Sequence, residues 1–288
     1  MIKISTIFAA GLIALGLAAP VVAQEHETIL VERQPWSFAG IFGKYDEHQL
    51  QRGFQVFQAV CANCHGAKLL AFRNLEEEGG PGFSEEQVKA LAAEYTVNDP
   101  DAEGGTRKGL PSDRWPGTGQ SDADQIAAFG IVPPDLSVMA KARAIASPFP
   151  QWIFNYFTTY SEGGPDYIHA LLTGYEETPP AGAEVPEGKF YNHVFPGHAI
   201  GMPPPLTDGT VKYDTGVEDD PNTADKDESK RDATLAETST DVAAFLMWVA
   251  EPHLNDQKAA GFRVLSFLLL FAVLMWFVKN RIWRNVEH

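Results

Sequence analysis

Long apolar runs lie near both ends of the chain, and more polar sequence separates them. The first run spans residues 4–19 behind a single positive charge, Lys3, and is followed by the sequence VVA at 21–23 and then by polar QEHE. A positive start, an apolar stretch and small residues before a polar segment are typical of a cleaved export signal. We therefore expect residues 1–23 to form a signal peptide, with an uncleaved membrane helix as the alternative.

The second apolar run, residues 259–278, contains a single charge, Arg263, near one end. About 20 apolar residues suffice to cross the ~30 Å hydrocarbon core of a bilayer, and an arginine near the end of such a run can extend its guanidinium to the lipid–water boundary. No helix cap or polar face is visible, which disfavours the alternative of a buried core helix. We predict a transmembrane helix over 259–278.

Basic residues follow this run directly, at Lys279, Arg281 and Arg284. Short loops rich in lysine and arginine stay on the cytoplasmic side of a membrane. We therefore expect a cytoplasmic tail at 279–288. The segment 24–258 is then a periplasmic domain, held at the cytoplasmic membrane by one helix.

Between the two runs, the clearest periodicity lies upstream of the cysteines. Leu50, Phe54, Phe57 and Cys61 recur at intervals of four, three and four residues. Apolar residues at this spacing fall on one face of a helix. The pattern predicts an amphipathic helix over 46–63.

The remaining interior predicts short helices joined by long irregular segments. Helical patterns occur near 135–145 and near 240–250, whereas 76–134 is rich in Gly, Pro and Asp and has few long periodic runs. Residues 176–240 are expected to form loops. The fold class is therefore mainly α, with extensive irregular loops and one C-terminal transmembrane helix.

Gly53 lies inside the first predicted helix, beside its apolar face. A small residue at a helix crossing lets the two backbones approach closely. We expect Gly53 to allow such an approach by Phe245 and Trp248 of the last predicted helix before the membrane span.

Composition narrows the classes of partner. Hydrophobic residues make up 44% of the chain and charged residues 21%, as in ordinary folded proteins. The formal net charge is −16, which disfavours nucleic-acid binding, because that relies on basic residues neutralising phosphates. Nine acidic residues between 214 and 237 would attract a basic protein partner, or they could form an ordinary solvated loop.

The two cysteines of the chain belong to one motif, Cys61-Ala62-Asn63-Cys64-His65. This CxxCH sequence is the attachment signature of haem c. Two thiols three residues apart can reach the two vinyl groups on one edge of a porphyrin, and the adjacent histidine can bind the iron. The motif predicts one covalently bound haem c with His65 as an axial ligand.

Two other kinds of site also use a pair of cysteines. A thiol–disulfide redox site uses CxxC, and a structural zinc site usually needs four ligands, for which no second cysteine pair exists. The predicted helix before the motif and the export signal favour haem over both.

Three methionines of the predicted periplasmic domain are candidates for the sixth ligand. Met139 and Met247 lie in helical patterns, where methionine usually fills core space. Met202 follows Gly201 and precedes three prolines, which exclude a helix and restrict the backbone. We favour Met202, because a ligand benefits from a rigid, irregular segment.

Two histidines near Met202 compete with it as ligands. His193 and His198 lie in the sequence FYNHVFPGHAIGM. Either one would give a bis-histidine haem with a lower potential than a His/Met haem. Both could equally be ordinary loop residues, and we expect this.

Several longer motifs follow the haem signature in a fixed order. They are PPDLS (133–137) with KARA (141–144), GGPDY (163–167) with LLTGY (171–175), FPGHAIGM (195–202), and DVAAFLMW (241–248) with AEP (250–252). In sequence and order they resemble the cytochrome c1 family, the haem subunits of cytochrome bc1 complexes. The resemblance covers about residues 36–285.

The resemblance implies a role for each matching residue. Haem c would be attached to Cys61 and Cys64, and the iron would be held by His65 and Met202. The haem would take electrons from a Rieske iron–sulfur protein and pass them to a soluble or membrane-bound cytochrome c. Ubiquinol is oxidised elsewhere in the family, at cytochrome b, so the chain would have no catalytic site of its own.

The resemblance also implies contacts around the haem. Arg143 and Tyr167 would face the propionates, and Pro134 would pack on the ring. A guanidinium suits a propionate because it offers a charged, bidentate fork. A surface salt bridge is the plainer role for Arg143.

The chain departs from the family pattern in two places. Ala128 and Phe129 stand where the family often has two asparagines, which puts an amide contact to the haem or its ligand loop in doubt.

Residues 145–162 form an insertion relative to shorter members. It could cover the haem edge, contact another subunit or add to the core. Its aromatic residues are Trp152, Phe154, Tyr156, Phe157 and Tyr160.

Two other functions remain to be weighed. A haem peroxidase would need an open sixth position at the iron. A free membrane-tethered carrier would need a long flexible linker before its anchor. Only about ten residues, 251–260, separate the last predicted periplasmic helix from the span, which favours a fixed place in an assembly.

Overall fold

The computed structural model describes residues 31–214 and 230–285. The predicted signal peptide and most of the acidic loop at 214–237 lie outside these ranges. The described chain forms eight α-helices and three two-stranded antiparallel sheets. The helices are α1 (Glu47–Ala59), α2 (Glu85–Glu94), α3 (Asp122–Phe129), α4 (Met139–Ala142), α5 (Gln151–Thr158), α6 (Gly163–Thr173), α7 (Leu235–Ala250) and α8 (Leu254–Trp283). The strands pair as β1 (Thr96–Asn98) with β2 (Thr106–Lys108), β3 (Phe190–Tyr191) with β4 (Ala199–Ile200), and β5 (Lys212–Asp214) with β6 (Lys230–Asp232). The mainly α fold class is confirmed.

Helix α1 confirms most of the helix predicted over 46–63. It begins where the Asp46 side chain accepts a hydrogen bond from the Gln49 backbone N–H at 2.7 Å, which satisfies one free donor of the first turn. It ends at Ala59, and a separate 3₁₀ turn, Cys61–Asn63, carries the haem motif. The motif therefore follows the α-helix in a tighter turn.

Helices α1 and α7 cross with Gly53 at the contact, and the predicted close approach of Phe245 is confirmed, whereas Trp248 lies beside Gly80. A Cβ added to Gly53 would overlap the Asp241 carbonyl oxygen and lie 2.6 Å from the Cβ of Phe245. The ring of Phe245 packs 5.6 Å from that of Phe54 and 5.5 Å from that of Phe57. The crossing is the centre of the core.

An ion pair closes the same crossing. Arg52 donates to both oxygens of Asp241, at 2.8 and 3.2 Å, and Asp241 is almost fully buried. A bidentate pair of this kind fixes orientation as well as adding attraction. Helix α7 begins earlier than predicted, because Thr234 and Glu237 form a reciprocal cap at its first turn.

Two helices lie in the region 76–134, where few periodic runs were expected. Helices α2 and α3 each begin at a capping serine, Ser84 and Ser121. Helix α2 buries only Val88 and Ala92, and α3 buries only Gln125. Such narrow buried faces leave a weak hydrophobic pattern, and the capping sequences were the better signal.

The helix predicted near 135–145 is wrong in extent, since only α4 forms there. The side chains of Asp135 and Ser137 bind backbone N–H groups of the segment after the haem motif, at Lys68 and Leu69. Short polar side chains that bind neighbouring backbone in this way favour turns over helices. Residues 135–138 are therefore irregular.

The aromatic insertion does not add to the core, so that alternative is wrong. Helix α5 has no buried residue, and its aromatic rings are exposed. Arg33, in the segment before α1, donates to Asn155 of this helix at 2.7 Å. Its guanidinium also lies over the ring of Tyr160, just after the helix, 3.7 Å from the ring centre. The exposed aromatic residues of α5 are Trp152, Phe154, Tyr156 and Phe157.

Helix α8 contains the predicted span 259–278 and is long and apolar enough to cross a membrane. Only Glu251, Pro252 and His253 separate α7 from α8, so most of the predicted connection before the span is helical. The helix begins early because Leu254 is buried against the domain, 6% exposed. The anchor is therefore joined almost directly to the last helix of the domain.

Candidate haem site

The haem motif forms a compact turn after α1. The backbone N–H groups of Cys64 and His65 both donate to the Cys61 carbonyl oxygen, at 3.1 and 2.8 Å. The two cysteines do not form a disulfide with each other, and burial raises the pKa of the Cys61 thiol to about 12. The turn brings two thiols and an imidazole within one short segment.

The carbonyl oxygen of Pro134 orients His65. It lies 2.8 Å from Nδ1 of the ring, so Nδ1 carries the proton and Nε2 keeps its lone pair. Burial lowers the pKa of His65, although the bond to Pro134 opposes this shift. A neutral imidazole with a fixed tautomer and a free Nε2 is the form that binds a metal ion.

The segment that carries Pro134 is fastened to the chain after the motif. The Leu136 N–H donates to the Gly66 carbonyl at 2.8 Å. Asp135 accepts from the Lys68 N–H at 2.9 Å, and Ser137 accepts from the Leu69 N–H at 3.0 Å. Burial would raise the pKa of Asp135, but hydrogen bonds from Ser137 and Lys68 lower it overall. The family resemblance placed Pro134 on the haem ring, but the sequence did not predict these hydrogen bonds between 135–137 and 66–69.

Met202 lies on a loop that is braced at its backbone. Its side chain is half-buried and packs against the apolar core, and its carbonyl oxygen accepts a hydrogen bond from the Tyr175 hydroxyl at 3.0 Å. The strand pair β3–β4 precedes it in the chain. The loop is therefore held at a defined position, as the predicted ligand role requires.

Asn192 is a further brace that sequence reasoning missed. It is fully buried, accepts from the backbone N–H groups of Val194 and Phe195 at 3.0 and 3.1 Å, and donates to the Leu171 carbonyl at 2.7 Å. It ties the loop before Met202 to the end of α6. A single asparagine in a loop carries no sequence signal of such a role.

The competing histidines are engaged in the same loop. His193 Nδ1 lies 3.1 Å from a carboxylate oxygen of Glu176. His198 has a positive φ of 57°, and its ring stacks on Tyr191 with 5.7 Å between centres. Both side chains therefore have contacts that fit loop residues.

Arg143 and Tyr167 lie near each other, on the chain after α4 and on α6. Burial raises the pKa of Tyr167, and the charge of Arg143 opposes this rise. Tyr167 in turn adds to the raised pKa of Tyr175, which burial mainly causes. Helices α4 and α6 approach closely, since a Cβ at Gly164 would overlap the Ala140 carbonyl oxygen. Of the two predicted propionate contacts, Tyr167 thus lies near the tyrosine that braces Met202.

These residues fit a covalently attached haem. Two thiols, an imidazole with a free Nε2 and a braced thioether are the donor set that haem c uses. Ile131 borders the Met202 loop, with its Cγ2 atom 3.8 Å from a Cβ placed at Gly201. Exposed Ile131, together with Phe129, adds apolar surface of the kind that a porphyrin face covers. The α-helical domain, this site and the long apolar helix define a membrane-anchored c-type cytochrome.

Comparison with known proteins identifies the family. The model of the Cytochrome C1 family matches residues 36–286, so the chain belongs to the cytochrome c1 family. It is 45% identical over 275 residues to cytochrome c1 of Blastochloris viridis, an alignment that covers 94% of this chain and 92% of the relative. It is 39% identical over 309 residues to cytochrome c1 of Cereibacter sphaeroides, with 100% and 98% covered.

One relative is a longer protein. The "Cytochrome b/c1" of Bradyrhizobium diazoefficiens is 47% identical over 254 residues, which cover 87% of this chain but only 35% of that protein. Family membership makes this chain an electron-transfer haem subunit of a cytochrome bc1 complex, with haem c as its cofactor.

Proposed function

We propose that this chain passes single electrons from a Rieske iron–sulfur protein to a soluble or membrane-bound cytochrome c. Cys61 and Cys64 would hold the haem, and His65 and Met202 would bind its iron. When bound, the haem supplies one-electron transfer between two iron oxidation states. The observation that carries the proposal is the hydrogen bond between the His65 ring and the Pro134 carbonyl, which leaves Nε2 free to bind iron. The brace of the Met202 loop by Tyr175 supports it.

The residues around the ligands set the properties of the site. Because Nδ1 of His65 donates to the Pro134 carbonyl, Nε2 stays free to bind iron. The same hydrogen bond makes the imidazole a more basic ligand. A thioether as second ligand favours a raised potential, which suits electron transfer to a cytochrome c. Arg143 and Tyr167 would bind the propionates of the haem, and Pro134 would pack on its ring.

The chain has no catalytic site of its own in this proposal. Two side-chain ligands leave no open position for a substrate, which opposes a peroxidase. Ubiquinol oxidation belongs to cytochrome b, the neighbouring subunit. The three-residue connection between α7 and α8 opposes a freely swinging carrier, because such a carrier needs a long flexible tether.

The location follows from the two ends of the chain. Residues 1–23 direct export, 24–258 form the periplasmic haem domain, and 259–278 cross the cytoplasmic membrane. The basic tail at 279–288 stays in the cytoplasm by the positive-inside rule. The formal net charge of −16 suits attraction of a basic cytochrome c.

The first test replaces the proposed sixth ligand. The haem-loaded protein extracted from membranes is titrated for potential, and its near-infrared sulfur–iron band is recorded, for wild type, Met202→Leu and the control Met139→Leu. We expect the band to vanish and the potential to fall sharply in Met202→Leu only, because leucine cannot bind iron. An unchanged band and potential in Met202→Leu would place a sulfur ligand elsewhere, with Met247 as the next variant after Met139. A wild type without the band would instead make His193 and His198 the next variants.

A further inference from the structure

A tight loop at residues 37–44, the interface loop, precedes α1. The Lys44 N–H donates to the Ser37 carbonyl at 3.1 Å and closes the loop. Gly40 turns the chain with a φ of +70°, and Gly43 lies so close to the Ala39 backbone that a Cβ would overlap its carbonyl oxygen. The loop therefore has a defined shape, with residues 41 and 42 at its tip.

The interface loop and Tyr45 after it contact one face of α8. The Tyr45 N–H donates to the Asn255 side chain at 3.2 Å. The Lys258 ammonium donates to the carbonyl oxygens of Phe38 and Gly43. Positions 255, 258 and 262 lie on the same side of a helix, because they are three and four residues apart.

The third contact places the loop tip at the beginning of the apolar span. The rings of Phe42 and Phe262 meet edge to face, with 5.7 Å between centres. Seven residues of helix advance about 10 Å, so Phe42 lies about that far along α8 from Asn255. From Phe262 onward the side chains of α8 are exposed and mainly apolar.

An arginine indicates the same boundary independently. The Arg263 guanidinium turns back one helical turn and donates to the Ala259 carbonyl at 3.2 Å. Long basic side chains at the end of a membrane span bend in this way toward the polar side. The lipid–water boundary therefore lies near 259–263, at the level of Phe42.

The tip of the interface loop presents apolar side chains at this boundary. Phe42 is 77% exposed and Ile41 is 49% exposed, and with Phe262 they border a cleft of about 170 Å³. Exposing apolar area to water is unfavourable. Lys44, also exposed, lies at the polar end of the same loop.

We propose that the interface loop is a second membrane contact of this protein. Ile41 and Phe42 enter the boundary between headgroups and acyl chains in the leaflet around α8, and Lys44 lies among the lipid phosphates. The occupant of the cleft is lipid, because the surface around it is continuous with the exposed apolar surface of the span. Two contacts with one leaflet limit the tilt of the haem domain above the membrane. The proposal rests on the proposed membrane anchoring by α8.

The test uses thiol accessibility in the haem-loaded, full-length chain in phospholipid vesicles. Cys61 and Cys64 are consumed by the haem, so an introduced cysteine is the single reactive thiol. Phe42→Cys and Ile41→Cys are compared with Ser37→Cys, at the exposed base of the loop. We expect both tip variants to react with a membrane-impermeant maleimide about tenfold more slowly than Ser37→Cys, because an apolar environment raises the thiol pKa.

Each other result has a definite meaning. Equal rates for Phe42→Cys and Ser37→Cys overturn the proposal. Protection that appears only when the other subunits of the complex are present also overturns it, because the occupant is then protein. A fast reaction of Leu269→Cys, in the middle of the span, shows that α8 is not inserted and refutes the anchoring itself. That result is distinguishable from failure of the electron-transfer proposal, which the Met202→Leu titration tests.

Discussion

At the scale of single residues, backbone carbonyl groups hold both proposed iron ligands in place. The Pro134 carbonyl accepts a hydrogen bond from the ring of His65, and the Met202 carbonyl accepts one from Tyr175. In each case the partner is distant in the chain, by 69 and 27 residues. The ligands are therefore positioned by contacts around them, and a change at Tyr175 should alter ligation without touching the iron.

Tyr175→Phe removes the hydrogen bond to Met202 and keeps the ring. We expect the methionine to be displaced more easily, by about 1 kcal/mol or roughly fivefold, the usual net value of one such bond. The measurement is the affinity of free imidazole for the oxidised haem, which should rise by that factor. Tyr156→Phe, at a position 86% exposed, is the control and should match wild type. An unchanged imidazole affinity in Tyr175→Phe would mean that the hydroxyl does not brace the ligand.

At the scale of elements, the domain depends on the close crossing of α1 and α7. Gly53 allows the approach, the ring of Phe245 fills the space beside Phe54, and Arg52 closes the contact with Asp241. The haem motif begins two residues after α1 ends. The position of the motif relative to the core is thus set by this crossing.

Gly53→Ala tests the crossing, because two effects oppose each other. Alanine favours a helix over glycine by about 1 kcal/mol, but its Cβ would overlap the Asp241 carbonyl and crowd Phe245. Overpacking typically costs about 1–3 kcal/mol, so we expect net destabilisation in denaturant unfolding of the haem-loaded protein. Ala59→Gly, exposed at the end of α1, reports the propensity effect alone. A stabilised Gly53→Ala would contradict the close approach.

At the scale of the whole molecule, the membrane anchor begins inside the domain. Leu254 is buried, Asn255 binds the backbone of Tyr45, and Lys258 binds the carbonyl of Phe38. The first turns of α8 are therefore part of the core of the haem domain. The direction of the span and the orientation of the domain are mechanically linked.

Two truncated forms measure this link. A haem domain that ends at Lys258 keeps these contacts, and one that ends at Glu251 loses them. Burial of one leucine alone stabilises by about 1.5–3 kcal/mol, so we expect the shorter form to melt roughly 4–10 °C lower. Leu254→Ala in the longer form separates the apolar contribution from the polar one. Equal melting temperatures would show that the domain ends before α8.

The features that the sequence determined by itself are local ones. The span of α8 and the CxxCH motif depend on residues that are neighbours in the chain, so composition and spacing sufficed to predict them. The amphipathic pattern of α1 was also predicted, because its apolar face repeats over several turns. Met202 could be singled out because glycine and prolines beside it restrict the backbone.

The tertiary structure decided everything that depends on contacts between distant segments. The hydrogen bond from His65 to the Pro134 carbonyl joins residues that no local pattern relates. The same is true of the hydrogen bonds that hold the Met202 loop. Helices α2 and α3 bury too few side chains to leave a clear periodicity, and α4 is short because Asp135 and Ser137 bind another segment. The early beginning of α8 follows from burial of Leu254. A hydrogen bond or a buried surface depends on where a partner lies in space, and only the folded chain determines that.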